Sequence, residues 1–316
     1  MLVSVAICTF NRAESLLRTL ESLAAMRLPP DLEWEVVVVN NHCTDHTDKV
    51  ISSFANRLPI RRELEPERGL SRARNRAVAS VQGDYIVWTD DDVAVDAGWL
   101  AAYVEAFRRW PEAAVFGGKI IELYEDPLPK WLAGNDSFTG YAARDFGDET
   151  LPLSIPEMRI PFGANFAVRA AEQRRFPYNP DLGPGSARGF VGDERDVIEK
   201  ILGAWAIGYW IPQSRVTHYI SRERMTLPYM NHFYYDIGRS EAFRFPHTAD
   251  NSHLWFGAPR WLWRRLAEEW VLYSIHRLVS PASVWLPHFQ KCALNWGKIS
   301  YWRTDRRRRR ELSRPA

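Results

Sequence analysis

Tyr85-Ile86-Val87-Trp88-Thr89-Asp90-Asp91-Asp92-Val93 runs four apolar or aromatic residues almost straight into three carboxylates. Such a run predicts a buried strand, with the acids placed where the strand leaves its sheet. Adjacent carboxylates repel one another, and burying them without a partner is costly. In an extended chain Asp90 and Asp92 share one side and Asp91 points to the other. A hard divalent cation with a phosphate on its far side fits that arrangement. An acidic turn or a helix N-cap is the competing reading, because Asp is favoured there too. The surrounding chain has to choose between them.

Upstream, Val3 to Thr9 reads as a strand, and Ala13 to Met26 carries Leu16, Leu17, Leu20 and Leu23 at helical spacing. Trp34 to Val39 is a β-branched strand, followed by the polar turn Asn40 to Asp45 and a helix over 47–56. Ile60 to Leu64 is a third strand, and Gly69 opens a helix that reaches Val78. Strands alternating with helices across short loops predict an α/β fold, a Rossmann-like, doubly wound, mostly parallel sheet. Ligands of such sheets bind beyond the carboxyl ends of the strands. Thr9-Phe10-Asn11, Asn40-Asn41 and the three acids all fall at such ends, so three polar clusters are expected to converge. Neither GxGxxG after the first strand nor GxxxxGK[ST] is present, which disfavours a dinucleotide fold and a P-loop. Gly183 to Gly189 is glycine-rich but reads as a flexible loop.

Downstream, a helix is expected around Trp99 to Arg109 and a strand over Ala113 to Leu123. Residues 124–160 are rich in Pro, Gly and Asp and read as irregular. Gly192-Asp193-Glu194-Arg195-Asp196 opens an apolar helix, where acids also suit the helix dipole. His218 ends a short strand. Residues 223–245 read as helical, and 255–303 as one or two Trp-rich helices striped by Trp263, Leu266, Trp270, Ser274, Arg277 and Leu278.

The 316 residues, 46% hydrophobic and 25% charged, are those of a folded chain. A net charge of +2 gives no global attraction for nucleic acid, and none is expected as a partner. Three scattered cysteines without a CxxC pair argue against a disulfide framework or a zinc ribbon, and the expected setting is cytoplasmic. The N-terminus reads as a first strand and not as a signal peptide. The longest near-apolar run, Ile201 to Pro212, is too short to cross a bilayer.

Several segments taken in order resemble the inverting family-2 glycosyltransferases of GT-A fold. They are Val3 to Arg12, Glu35 to Asp45, Gly69 to Asn75, Asp90 and Asp92 as a DxD, Phe162-Gly163-Ala164-Asn165, and Gly192 to Asp196. The resemblance covers residues 1 to about 245 and implies transfer of a sugar from a nucleotide diphosphosugar to a hydroxyl. It implies Mg²⁺ or Mn²⁺ on Asp92 and Asp90, with His218 as a further candidate ligand. It places Thr9, Asn11, Arg12, Asn40, Arg74, Asp90 and Asp91 on the nucleotide side, with Asp91 the least engaged of the acids. Gly163 and Asn165 fall on the acceptor side. The general base is Glu194, with Asp193 as the alternative, because the family's Glu-Asp order is reversed here. A second departure is Asn40, where the family carries Asp. UDP is the first expectation for the donor, with GDP- and dTDP-sugars still open.

Two further function classes compete, a nucleotide-sugar binder that has lost catalysis and a nucleotidyltransferase. Arg222, Arg224 and Tyr229 either close over the diphosphate or form a solvated face. The expected organisation is a GT-A domain over 1–250 and a Trp/Arg-rich helical extension over 251–316. That extension either packs as a helical pair or meets an anionic membrane surface through its Trp residues and Arg306 to Arg310. The second option would put the protein on the inner face of a membrane, beside a saccharide or lipid-linked saccharide acceptor.

Overall fold

The computed structural model describes residues 1–132, 143–245 and 253–312, with side chains through residue 304. Its strands are β1 (Leu2–Thr9), β2 (Glu33–Asn40), β3 (Ile60–Leu64), β4 (Tyr85–Asp90), β5 (Val93–Val95), β6 (Ala113–Tyr124), β7 (Leu151–Pro152), β8 (Asn165–Arg169) and β9 (Ile207–Ile220). Helices α1 (Ala13–Ala24), α2 (Thr47–Ser53), α3 (Leu70–Ser80) and α4 (Trp99–Arg109) fill the first half. Helices α5 (Ala170–Arg175), α6 (Asp193–Gly203), α7 (Leu227–Arg244), α8 (Arg260–Val279) and α9 (Ala282–Leu312) follow.

These strands form one sheet in the order β3-β2-β1-β4-β8-β6-β9-β5, with β7 added beside β9. The run β3-β2-β1-β4 is parallel, and β8 joins β4 antiparallel. The expected doubly wound sheet is therefore present as a mixed sheet, parallel through β3-β2-β1-β4 and antiparallel where β6 meets β8 and where β5 and β7 meet β9.

Its two faces follow from the period-2 alternation of strand side chains. Val3, Val5, Ile7, Val36, Val38 and Val87 meet Leu16, Leu20, Val50, Leu100 and Phe107 of α1, α2 and α4. Ala6, Val37, Val39, Ile86 and Trp88 meet Ala73, Ala77, Val197 and Ile201 of α3 and α6. Because both faces are covered, the central strands read as near-continuous apolar runs, with Ser4 the polar exception in β1.

Register decides which residues leave the sheet together. Thr9 lies opposite Asn40, Cys8 opposite Asp90, and Thr89 opposite Asn165. Val93, which follows the acids, lies opposite His218. The three polar clusters therefore share one edge, as the strand ends predict.

The expected domain break near residue 250 is drawn elsewhere. Contacts divide the chain into one unit of residues 1–123, 141–188 and 193–219 and a second of 124–140, 189–192 and 220–316. Within the second unit α7 packs closely on α9. A Cβ on Gly238 would lie 2.0 Å from the Leu294 carbonyl oxygen, and one on Gly297 would lie 2.0 Å from that of Tyr235. Only glycine permits this approach, and it ties residues 227–244 to the C-terminal helices. Of the Trp stripe, Trp263 and Leu266 pack around Ala258, Leu262 and Ile299. Trp270 and Leu278 stay exposed, Leu278 at 85%. The side chains of Arg306 to Arg310 lie outside the described residues. No described helix is long and apolar enough to cross a membrane.

Candidate active site

The site is built in the first unit around the acids that follow β4. Asp91 turns inward and is buried. It accepts a hydrogen bond from Thr9 Oγ1 at 2.7 Å and one from Arg12 Nη1 at 3.0 Å. The same Arg12 nitrogen donates to Asp92 Oδ2 at 2.9 Å, so one guanidinium braces two of the three carboxylates. The other Asp92 oxygen, Oδ1, lies 3.4 Å from His218 Nε2. Burial pushes the Asp91 carboxyl up to about 6 against the pull of Arg12. Burial also raises the Asp90 carboxyl, against the pull of Arg74.

Arg74, on α3, is the second hub and is only 3% exposed at its side chain. Its Nη1 donates to Asp193 Oδ2 at 2.7 Å and lies 3.6 Å from Glu194 Oε2. Its Nη2 is 3.7 Å from Asp90 Oδ1. Burial works against its charge, and Asp193 foremost overcomes that, so its pKa is raised. Gly163 makes room for this cation, since a Cβ there would lie 2.7 Å from Arg74 Nη2 and 3.6 Å from Glu194 Cδ.

Asp193 and Glu194 are adjacent in sequence but not equivalent. The Asp193 side chain is 2% exposed and held by Arg74, whereas that of Glu194 is 21% exposed. Burial and the neighbouring Asp193 carboxylate push Glu194 up to about 7, with Arg74 opposing. A carboxyl near neutrality that still reaches solvent suits proton transfer.

Several expected ligand-facing side chains are placed otherwise. Asn165 is fully buried. Its Oδ1 accepts from Trp99 Nε1 and Tyr103 Oη, both at 2.8 Å. Its Nδ2 donates to the carbonyls of Lys119 and Ser214, both at 2.9 Å. All the bonding capacity of this amide is spent inside the core, so it ties α4 to β6 and β9 instead of facing an acceptor. Asn40 donates to Asp48 Oδ1 at 2.6 Å and accepts from the Cys43 N–H at 2.7 Å, which fixes the turn after β2. Thr9 is buried on Asp91. Asn11, at φ 51°, accepts from the Thr44 N–H at 2.7 Å and links two loops. Arg74, expected on a nucleobase or a phosphate, lies among Asp193, Glu194 and Asp90. Asp91, read as the least engaged acid, is the brace for Thr9 and Arg12. In the second unit, Arg222 pairs with Glu125 and Asp126 at 3.6 and 3.5 Å.

The loop read as flexible is fastened at its start. Leu182 O accepts from Ser71 Oγ at 2.8 Å, and Pro184 O accepts from the Leu70 N–H at 2.9 Å. Gly183, at φ +87°, would place a Cβ 3.1 Å from Asp193 Cγ. The multiple glycines were the available signal for a close approach, but they did not name the partner. Arg144 also lies near Glu194, and no periodicity or motif in its irregular segment marks it.

Among the described residues, no three His, Cys, Asp or Glu side chains form a metal cage by themselves. Asp92 and His218 nonetheless bring a carboxylate oxygen and an imidazole nitrogen to within 3.4 Å of each other, and Asp90 ends the strand two residues before Asp92. Carboxylate and imidazole donors of this kind suit Mg²⁺ or Mn²⁺, which take few protein ligands in nucleotide sites.

Residues 4–169 match the family model described as glycosyl transferase family 2. Succinoglycan biosynthesis protein ExoM of Rhizobium meliloti is 30% identical over 136 residues, covering 42% of this chain and 43% of that protein. The chain spans less than half the length of each of the first curated relatives it matches. Among solved structures, residues 1–349 of Staphylococcus aureus TarS in complex with UDP-GlcNAc give a TM-score of 0.53 at 16% identity. That match covers 98% of this chain and 92% of the other. The mannosyltransferase PcManGT of Pyrobaculum calidifontis, in complex with GDP-Man and Mn²⁺, gives 0.58 at 17% identity, covering 95% and 85%. At such identities the likeness is one of fold.

Proposed function

The chain belongs to glycosyl transferase family 2, and on that premise we propose that it transfers a sugar from a nucleotide diphosphosugar to a hydroxyl of a saccharide or lipid-linked saccharide, with inversion. The observation that carries the proposal is the arrangement around Arg74. This guanidinium holds buried Asp193, lies 3.6 Å from solvent-reaching Glu194, and lies 3.7 Å from Asp90 at the strand end. Glu194 is the general base and takes the proton of the acceptor hydroxyl. The bond from that oxygen to the anomeric carbon forms as the bond from the carbon to the diphosphate breaks. Attack from the face opposite the leaving group inverts the anomeric centre. Asp193 positions Arg74 and takes no proton. Arg12 fixes the direction of Asp92 by bridging it to Asp91.

Asp92, Asp90 and His218 would hold Mg²⁺ or Mn²⁺, which when bound stabilises the negative charge of a leaving diphosphate. UDP is the proposed nucleotide. UDP, GDP, dTDP and CDP, each with and without Mn²⁺, are to be compared by thermal shift. A ligand that binds only the native state at a hundred times its Kd stabilises it by about 2.7 kcal/mol. UDP with Mn²⁺ is expected to give the largest shift, and Asp92→Asn to remove the part that depends on Mn²⁺. A larger shift with GDP or dTDP reassigns the base, and no shift with any nucleotide overturns the donor proposal.

The proposal extends to an anionic membrane surface as the setting of the acceptor. Trp270, Ile275, Leu278 and Val279 are exposed on α8, a helix that also carries Arg264 and Arg265. Exposed aromatic and aliphatic side chains beside arginines suit a headgroup interface. The full chain is expected to co-sediment with phosphatidylglycerol vesicles and to be released by salt. Equal recovery with phosphatidylcholine vesicles removes this part of the proposal.

A further inference from the structure

Arg144 is a cation of this neighbourhood that forms no ion pair among the described residues, with Glu194 the acid that acts on it from farther away. Its backbone N–H donates to the Ile120 carbonyl at 3.1 Å, and its carbonyl accepts from the Ile120 N–H at 2.9 Å. Its Nε donates to the Ile160 carbonyl at 2.9 Å. The guanidinium carbon sits 3.8 Å over the Phe162 ring and 5.1 Å from that of Phe146. These contacts engage the face of the group and one nitrogen, and among the described residues Nη1 and Nη2 have no hydrogen-bond partner. By contrast Arg12, Arg61, Arg74, Arg159, Arg169 and Arg195 of the same unit all pair with carboxylates.

The negative charge that acts on it is that of Glu194, which forms no ion pair with it. Burial and the nearby Arg195 guanidinium draw the Arg144 pKa down to about 10, and Glu194 opposes them only in part. Arg195 is itself occupied by Glu199 at 2.6 Å. A half-buried guanidinium without an ion pair is costly to maintain. One stacked on an aromatic ring, with no bond to its two terminal nitrogens among the described residues, is preorganised to grip an oxyanion through two parallel hydrogen bonds.

Location then separates acceptor from donor. Phe162 directly precedes Gly163, where a Cβ would lie 2.7 Å from Arg74 Nη2 and 3.6 Å from Glu194 Cδ. The charges that act on Arg144 are those of Arg195 and Glu194, whereas those that act foremost on Asp90 are Arg74, Asp92, His218 and Arg12. Arg144 therefore belongs to the side of the base.

We infer that Arg144 binds an oxyanion carried by the acceptor, a phosphate or a uronate carboxylate close to the attacking hydroxyl. The assignment of the anion to the acceptor rests on the glycosyltransferase reading, with Glu194 as base. It makes the acceptor an acidic saccharide or a polyol phosphate rather than a neutral sugar.

The test is calorimetric titration of the full chain, with and without saturating UDP and Mn²⁺, using glycerol 3-phosphate, glucuronate and glucose. Filling the donor site first keeps the anions from competing for Mn²⁺ held at the strand-end acids. At least one anion is expected to bind ten times or more tightly than glucose, and the better one names the group. Arg144→Gln is expected to lose that preference, and Arg144→Lys to keep part of it. In wild-type protein the same anion should protect the Arg144 peptide from phenylglyoxal while glucose does not, which keeps the test valid should the Gln variant fold poorly. Equal binding of anions and glucose, or a preference that survives Arg144→Gln, overturns the inference. Failure of UDP to bind overturns the donor reading instead, and the anion preference at Arg144 is still read in nucleotide-free protein.

Discussion

Replacing Glu194 with Gln is expected to lower kcat by about 10²–10⁴-fold, the range that a positioned general base contributes, without loss of UDP binding. The variant keeps the size and much of the hydrogen bonding of the side chain and removes only the ability to take a proton. The pH profile gives the sharper reading. Burial and Asp193 push the Glu194 carboxyl up to about 7, and only the ionised form is a base. In the wild type kcat/KM should therefore rise with pH through about 7 and then level, and in the Gln variant that limb should disappear. Stability runs the other way. A carboxyl whose folded pKa lies above its unfolded value favours the native state at low pH, and that contribution is lost as pH rises through the folded pKa. Glu194→Gln should therefore be more resistant to unfolding than wild type above pH 7, a gain in stability at the expense of function. A limb that persists in Glu194→Gln but vanishes in Asp193→Asn moves the base to Asp193.

Arg74→Met should destabilise the protein by about 3–5 kcal/mol, the usual cost of leaving one member of a buried ion pair alone. Asp193 would keep its burial and lose the 2.7 Å bond that compensates it. A Lys is not expected to restore the wild type, because a compact ammonium cannot serve Asp193 while also facing Glu194 and Asp90 as a planar fork does. In the double variant Arg74→Met/Asp193→Leu, no buried charge is left unpaired at this pair. Part of the lost stability should return, so the double-mutant cycle closes with a favourable coupling. Urea unfolding monitored by circular dichroism gives the numbers. A loss near the ~1 kcal/mol of an exposed ion pair would show that Arg74 is not the structural hub described above.

The fold was legible because it is written in local pattern. The runs Val5 to Ile7, Val36 to Val39 and Tyr85 to Trp88 are apolar on both faces, which only a strand covered on two sides requires. The polar residues that end each run had to emerge at one edge once the strands were parallel. The domain boundary was less legible, because the packing of α7 on α9 depends on Gly238 and Gly297 meeting backbone from distant segments.

The site was legible as a set of positions and much less so as a set of roles. A buried Asn reads the same in sequence whether its amide faces a ligand or closes a core. The sequence predicts ligand-facing amides at Asn165 and Asn40, whereas their bonds lie within the protein. Asp193 and Glu194 are neighbours in the chain, yet only the packing against Arg74, 119 residues earlier, separates a buried anchor from a solvent-reaching acid. Arg144 carried no local signal, since its lack of an ion pair among the described residues is a fact about what surrounds it. By itself, then, the sequence determined the sheet, the edge on which chemistry can occur and the acids present there. Tertiary structure alone decided which acid is neutralised and which remains available, because burial and charge pairing are set by residues far apart in the chain.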